Sequence, residues 1–191
     1  MPVGTDGHNG RMRRLGFLTA AVLSAVVGFG VLPAFAAAPV QRTVEDRAEP
    51  GKAYDVLSVT LTAAPPGRKA KVVVEHARRV RVGDGIDIWF DTNDDRLPDI
   101  YLTGYAFSEY AVYKARGWDG HGRDISNRGC VSLKMVDRKS VVRFDPSCLA
   151  PSARFSVSVR SFVQDEPEST VDYVPGSERL TKKVLSYQPE Q

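Results

Sequence analysis

The densest chemistry in the chain lies in nine residues between two apolar runs: Asp91-Thr92-Asn93-Asp94-Asp95-Arg96-Leu97-Pro98-Asp99. Side-chain oxygens fall at Asp91, Asn93, Asp95 and Asp99, with the backbone carbonyl of Leu97 between the last two. A hard cation such as Ca2+ takes about six to eight oxygens from a tightly turned loop. The D-x-N-x-D-x-x-x-D spacing matches the first nine positions of such a loop. Two features oppose it. Arg96 stands at position six, where the turn wants glycine, and Leu102 stands at position twelve, where a bidentate Glu belongs. Asp84 or Asp87 would have to supply the missing ligand. The alternative is a plain connection between strands, in which Asp and Asn bond their own backbone and Pro98 fixes one corner.

Other chemistry is sparse. His76 falls on a strand pattern and His121 in a glycine-rich stretch, and neither adjoins a G-x-S-x-G or H-E-x-x-H motif. A hydrolase using carboxylates would draw on Asp87 with Asp91 or Glu109, assisted by one of these histidines. Residues 89 to 118 are rich in aromatics: Trp89, Tyr101, Tyr105, Tyr110, Tyr113 and Trp118. On half-buried strands such rings are ordinarily core or cross-strand pairs. An exposed coplanar pair among Trp89, Tyr101, Tyr105 and Trp118 would instead make a platform for a carbohydrate. Trp118 sits among glycines, where a large ring needs either a pocket or a ligand. Trp118 and His121 are therefore the candidate binding residues of the loop.

The elements that must position these groups are short strands. Leu57, Val59 and Leu61 alternate with Ser58, Thr60 and Thr62, as one buried strand face requires. Pro65-Pro66-Gly67 ends that run. Ala70 to His76 follows, then Ile86, Ile88 and Phe90 alternating with Asp87 and Trp89. Ile100 to Phe107 and Tyr110 to Lys114 read as a hairpin. Gly117 to Gly129 reads as a surface loop. Cys130 to Val136 and Val141 to Phe144 form a hairpin turned at Asp137-Arg138-Lys139. Phe155, Val157 and Val159 alternate with Ser156, Ser158 and Arg160, and a polar tail from Gln164 holds Leu180, Val184 and Tyr187. About eight short strands with turns every 8 to 12 residues predict an all-β fold, an antiparallel β-sandwich of immunoglobulin-like or jelly-roll-like kind, with a small barrel as the alternative.

The ends of the chain set its address. Arg11, Arg13 and Arg14 precede an uncharged apolar run from Phe17 to Leu32, followed by Pro33-Ala34-Phe35-Ala36. Basic, apolar and then small residues are the order of a secretory signal, cut after Ala36. The run is shorter than the roughly 20 residues of a spanning helix. The expected divisions are a signal at 1–36, a polar tether or loosely attached first segment at 37–52 and one domain at 53–191. The mature part carries 23 basic and 22 acidic residues, so no field favours nucleic acid or an anionic membrane. Two cysteines in an exported chain, Cys130 and Cys148, imply a disulfide.

The segments Asp55 to Val59, Ile88 to Thr92, Pro98-Asp99-Ile100, Gly117-Trp118, Cys130, Cys148-Leu149 and Asp172 to Gly176 follow one another in an order that resembles small secreted actinobacterial β-sandwich proteins of unassigned function. The resemblance covers about residues 53 to 187. It implies a fold, one disulfide and an extracellular address, but no activity. The expectation is a non-enzymatic exported module that binds an extracellular ligand through its loops, with a possible structural Ca2+. A secreted hydrolase and a carbohydrate-binding module are the alternatives.

Overall fold

The computed structural model describes residue 38 and residues 40–118, 121–149 and 152–189. The expected signal and its cleavage site lie outside the described residues. Among the described residues, twelve strands form two antiparallel sheets. They are β1 Gln41–Glu45, β2 Val56–Thr62, β3 Ala70–His76, β4 Asp84–Asp91, β5 Ile100–Tyr105, β6 Tyr110–Ala115, β7 His121–Asp124, β8 Val131–Val136, β9 Lys139–Phe144, β10 Arg154–Val163, β11 Asp172–Val174 and β12 Val184–Leu185. The smaller sheet runs β1-β2-β3-β9-β8. The larger runs β11-β10-β4-β5-β6-β7, with β12 also pairing β10. The predicted β-sandwich is the observed fold.

Strict alternation puts one set of side chains between the sheets. From the larger sheet come Ile86, Ile88, Phe90, Ile100, Leu102, Val112, Phe155, Val157 and Val159. Val59, Leu61, Val72, Val74, Val142 and Phe144 face them from the smaller sheet. Phe144 joins the two layers, meeting Phe90 and Phe155 edge-on at 5.3 and 5.0 Å, a favoured ring geometry. Gly104 faces this core. A Cβ there would stand 2.5 Å from Leu133 Cδ2 and 2.9 Å from Tyr110 Cβ, so the bare backbone admits Leu133.

Three local expectations need correction. The segment read as a tether contains β1, which pairs with β2 from Gln41↔Thr62 to Glu45↔Ser58. Its polar sequence reflects an edge strand with half its side chains in solvent. In β2 a bulge between Val56 and Ser58 shifts the register. Val56, not Leu57, is fully buried. The stretch read as a surface loop holds β7 and a 3-10 turn at Ser126–Arg128. Cys130 and Cys148 form the expected disulfide, with 5.5 Å between Cα atoms.

Candidate functional site

The side chains opposite the core form the outer face of the larger sheet. In register across it stand Ser158 of β10, Trp89 of β4, Tyr101 of β5 and Tyr113 of β6. The next row is Tyr173 of β11, Arg160 of β10, Asp87 of β4 and Thr103 of β5. Trp118 folds back from the end of β6 onto Trp89, 6.1 Å between rings. Trp89 meets Tyr101 at 5.1 Å, and Tyr101 meets His121 of β7 at 4.4 Å. The result is a continuous aromatic band crossing the strands.

Beside this band lies a cavity of about 190 Å³ lined by Trp89, Trp118, Ser158, Arg160, Tyr173, Ser177 and Glu178. Arg160 organises its floor. One guanidinium nitrogen donates to Asp87 Oδ2 at 3.0 Å and another to Glu168 Oε2 at 2.9 Å. Tyr173 donates its hydroxyl to Glu168 Oε1 at 2.8 Å. Burial alone would push the Arg160 guanidinium down, but the bond and charge of Asp87 outweigh it and raise it. Burial, and then the Asp87 carboxylate, push the Tyr101 phenol up. The guanidinium therefore stays charged and the phenol neutral near pH 7. Phe162 completes the support, its ring stacked 4.8 Å from the Arg160 guanidinium. A Cβ on Gly85 would come within 2.4 Å of that ring.

Seven buried side-chain polar atoms among the described residues lack a hydrogen-bond partner, and four of them lie on this face: Asp87 Oδ1, Ser156 Oγ, Ser158 Oγ and Arg160 Nε. Buried polar groups are nearly always paired; of these four, the Ser158 and Arg160 atoms belong to residues that line the cavity. A larger cavity, about 670 Å³, lies between the Pro65–Lys69 turn, Asp145 and Tyr187, and none of its lining residues carries such an atom.

No family model matches the chain, and no curated protein matches it.

The acidic loop folds on itself. Asp91, fully buried, accepts from the backbone N–H of Asp94 at 2.8 Å and of Arg96 at 3.2 Å. Asn93 accepts from the Asp95 N–H, and Asp95 from the Leu97 N–H at 2.8 Å. Asp99 accepts from the backbone and hydroxyl of Thr92, at 2.7 and 2.6 Å. Lys183 reaches Asp91 Oδ2 at 2.8 Å and also bonds Asp94, which Arg154 meets at 2.6 Å. The hydrogen bond from Lys183 holds the Asp94 carboxyl below its usual range. Arg96 makes the turn itself, with φ of 73°. Among the described residues no group of three or more His, Cys, Asp or Glu side chains is arranged to hold a metal ion. The loop has the geometry of the self-bonded connection between strands.

The groups of the hydrolase reading are dispersed. His76 is buried on the inner face of the smaller sheet, stacked 3.8 Å from Tyr54 and bonded to Ser140 Oγ at 3.0 Å. His121 is exposed at the edge of the other sheet, and Glu109 lies in the β5–β6 turn. The aromatics divide as well. Tyr101 is buried, Tyr105 pairs with Phe162 further along the face, and Trp89 and Trp118 are tilted at 54°. They form one wall of a cleft rather than a coplanar platform. Of the two loop residues read from the sequence, Trp118 lines this cavity and His121 does not; Ser158, Arg160 and Tyr173 were not read. The available signal was the polar set Ser156, Ser158 and Arg160 opposite three buried apolar residues.

Proposed function

We propose that this chain is an exported, non-enzymatic β-sandwich module that binds a small ligand on the outer face of its larger sheet, in the cleft between Trp89, Trp118 and Tyr173. The observation that carries the reading is the group of buried, unpartnered polar atoms around Arg160 and Ser158. Leaving a buried donor or acceptor unmade costs about 1–3 kcal/mol each, and a ligand that meets them recovers that cost. Rigid strands beneath and a tryptophan-bearing loop above suit recognition.

Support for export comes from the basic, apolar and small-residue order of the first 36 residues and from a disulfide of the kind that persists in oxidising compartments. No helix among the described residues is long and apolar enough to cross a membrane. The likeness in motif order to secreted actinobacterial proteins fits the same reading. Sequencing the N-terminus of protein recovered from culture medium is expected to begin at Ala37, and an intact Met1 on cell-retained protein would contradict export.

Fragment mapping tests the site without assuming the ligand. Small polar and aromatic fragments added to the isotopically labelled mature chain are expected to move the backbone amides of Ser158, Arg160, Tyr173 and Trp118. Fragments that gather instead at the Pro65–Lys69 turn would reject the site.

A further inference from the structure

Resting on that reading of the cleft, we infer that its ligand is a single uncharged sugar ring, such as the terminal residue of a glycan. Three observations select this chemistry.

The first is size. Pockets for drug-sized molecules run about 300–1,000 Å³, and this one measures about 190 Å³. It admits one ring.

The second is the hydrogen-bond inventory. Among the lining residues, the Arg160 Nε–H only donates and the Ser158 hydroxyl both donates and accepts, and neither has a partner in the free protein. A ligand that satisfies both presents an acceptor to Arg160 beside a group that can donate to or accept from Ser158, as neighbouring hydroxyls do. A quaternary ammonium offers neither.

The third is charge and shape. The Arg160 cation is already bonded to Asp87 and Glu168, and Glu178 adds a third carboxylate to the surroundings. The excess of negative charge repels an anion. Aromatic walls with nearby carboxylates could attract an organic cation, but the Arg160 guanidinium lies in the lining and opposes it. The faces of Trp89 and Trp118 offer flat apolar surface to the C–H face of a ring, while its hydroxyl edge turns toward Ser158 and Arg160.

The chain has two tryptophans, and both line this cavity. Tryptophan emission, excited selectively over tyrosine, therefore reports on the site alone. The mature protein is titrated with the methyl glycosides of glucose, galactose, mannose and N-acetylglucosamine, and separately with glucuronate and choline. At least one neutral glycoside is expected to shift the emission to saturation at millimolar concentration. Ser158→Ala is expected to weaken that binding about fivefold to tenfold. The same variant should keep the thermal midpoint unchanged or higher, because the hydroxyl it removes has no partner in the free protein. A purely structural serine would show the opposite pair of results. Saturation by glucuronate or choline but by no neutral glycoside would overturn the sugar while leaving the cleft a binding site. Silence from every glycoside, with fragments still mapping to the cleft, would likewise overturn the sugar alone. Silence together with fragments mapping elsewhere would overturn both.

Discussion

Asp91 shows how one buried carboxylate can hold a loop and a distant segment together. It binds two amides of its own turn and the Lys183 ammonium from the chain just before β12. Asp91→Ala leaves Lys183 with Asp94 alone and frees both amides inside the turn, and a loss of about 3 kcal/mol is expected in chemical denaturation. Lys183→Met should cost less, since the amides still satisfy Asp91. His76 makes the second prediction at this scale. Burial first, then the nearby Arg78 charge, lowers it from 6.5 to about 3. Below pH 6.5 the unfolded chain takes up a proton that the native imidazole refuses. Stability is therefore complete above that pH and falls as the pH drops toward 3, by up to about 1.4 kcal/mol per unit. Denaturant midpoints measured from pH 7 to pH 5 should show this slope, and His76→Gln should flatten it. Asp55 and Asp172, raised chiefly by their burial, act in the opposite sense nearer pH 4 and make the limb shallower there.

At the scale of elements, the alternating patterns of β3, β4 and β10 could be read directly, because a strand buried on one face must alternate. β1 and β7 could not, because edge strands with polar side chains look like loops and are defined by their neighbours' hydrogen bonds. The β2 bulge was hidden for a related reason. Val56 and Leu57 are both apolar, so only the pairing decides which one faces inward. The acidic turn was legible as a turn. Its side-chain spacing fits either a cation or the loop's own amides, and only coordinates show where the oxygens point. Two predictions belong here. Gly104→Val forces Leu133 and Tyr110 apart and should cost about 1–3 kcal/mol. The double change of Cys130 and Cys148 to serine should lower stability by roughly 3 kcal/mol in non-reducing buffer, read as the denaturation midpoint, with an unaltered sandwich spectrum in dilute solution.

Across the whole molecule, the sandwich followed from strand count and turn spacing, whereas the cleft did not. Its parts come from β4, β10, β11, the chain after β6 and the chain after β11, residues 89 to 178, and no local window contains the constellation. Ser158 and Arg160 look in sequence like solvent-facing residues of an ordinary strand. Only the return of Trp118 over Trp89 and the approach of β11 beside β10 make them the floor of a cavity. The proposed cleft thus lies on the sheet face turned away from the core, with Trp118 of the glycine-rich stretch as one wall, while the acidic loop is closed on its own amides.

The most direct measurement is a fluorine NMR spectrum of the mature chain carrying 5-fluorotryptophan at both Trp89 and Trp118, recorded with and without a mixture of small polar fragments. Both resonances should move together as the cleft fills. Two unmoved indoles, with amide shifts confined to other surfaces, would contradict the assignment of this face as the binding site.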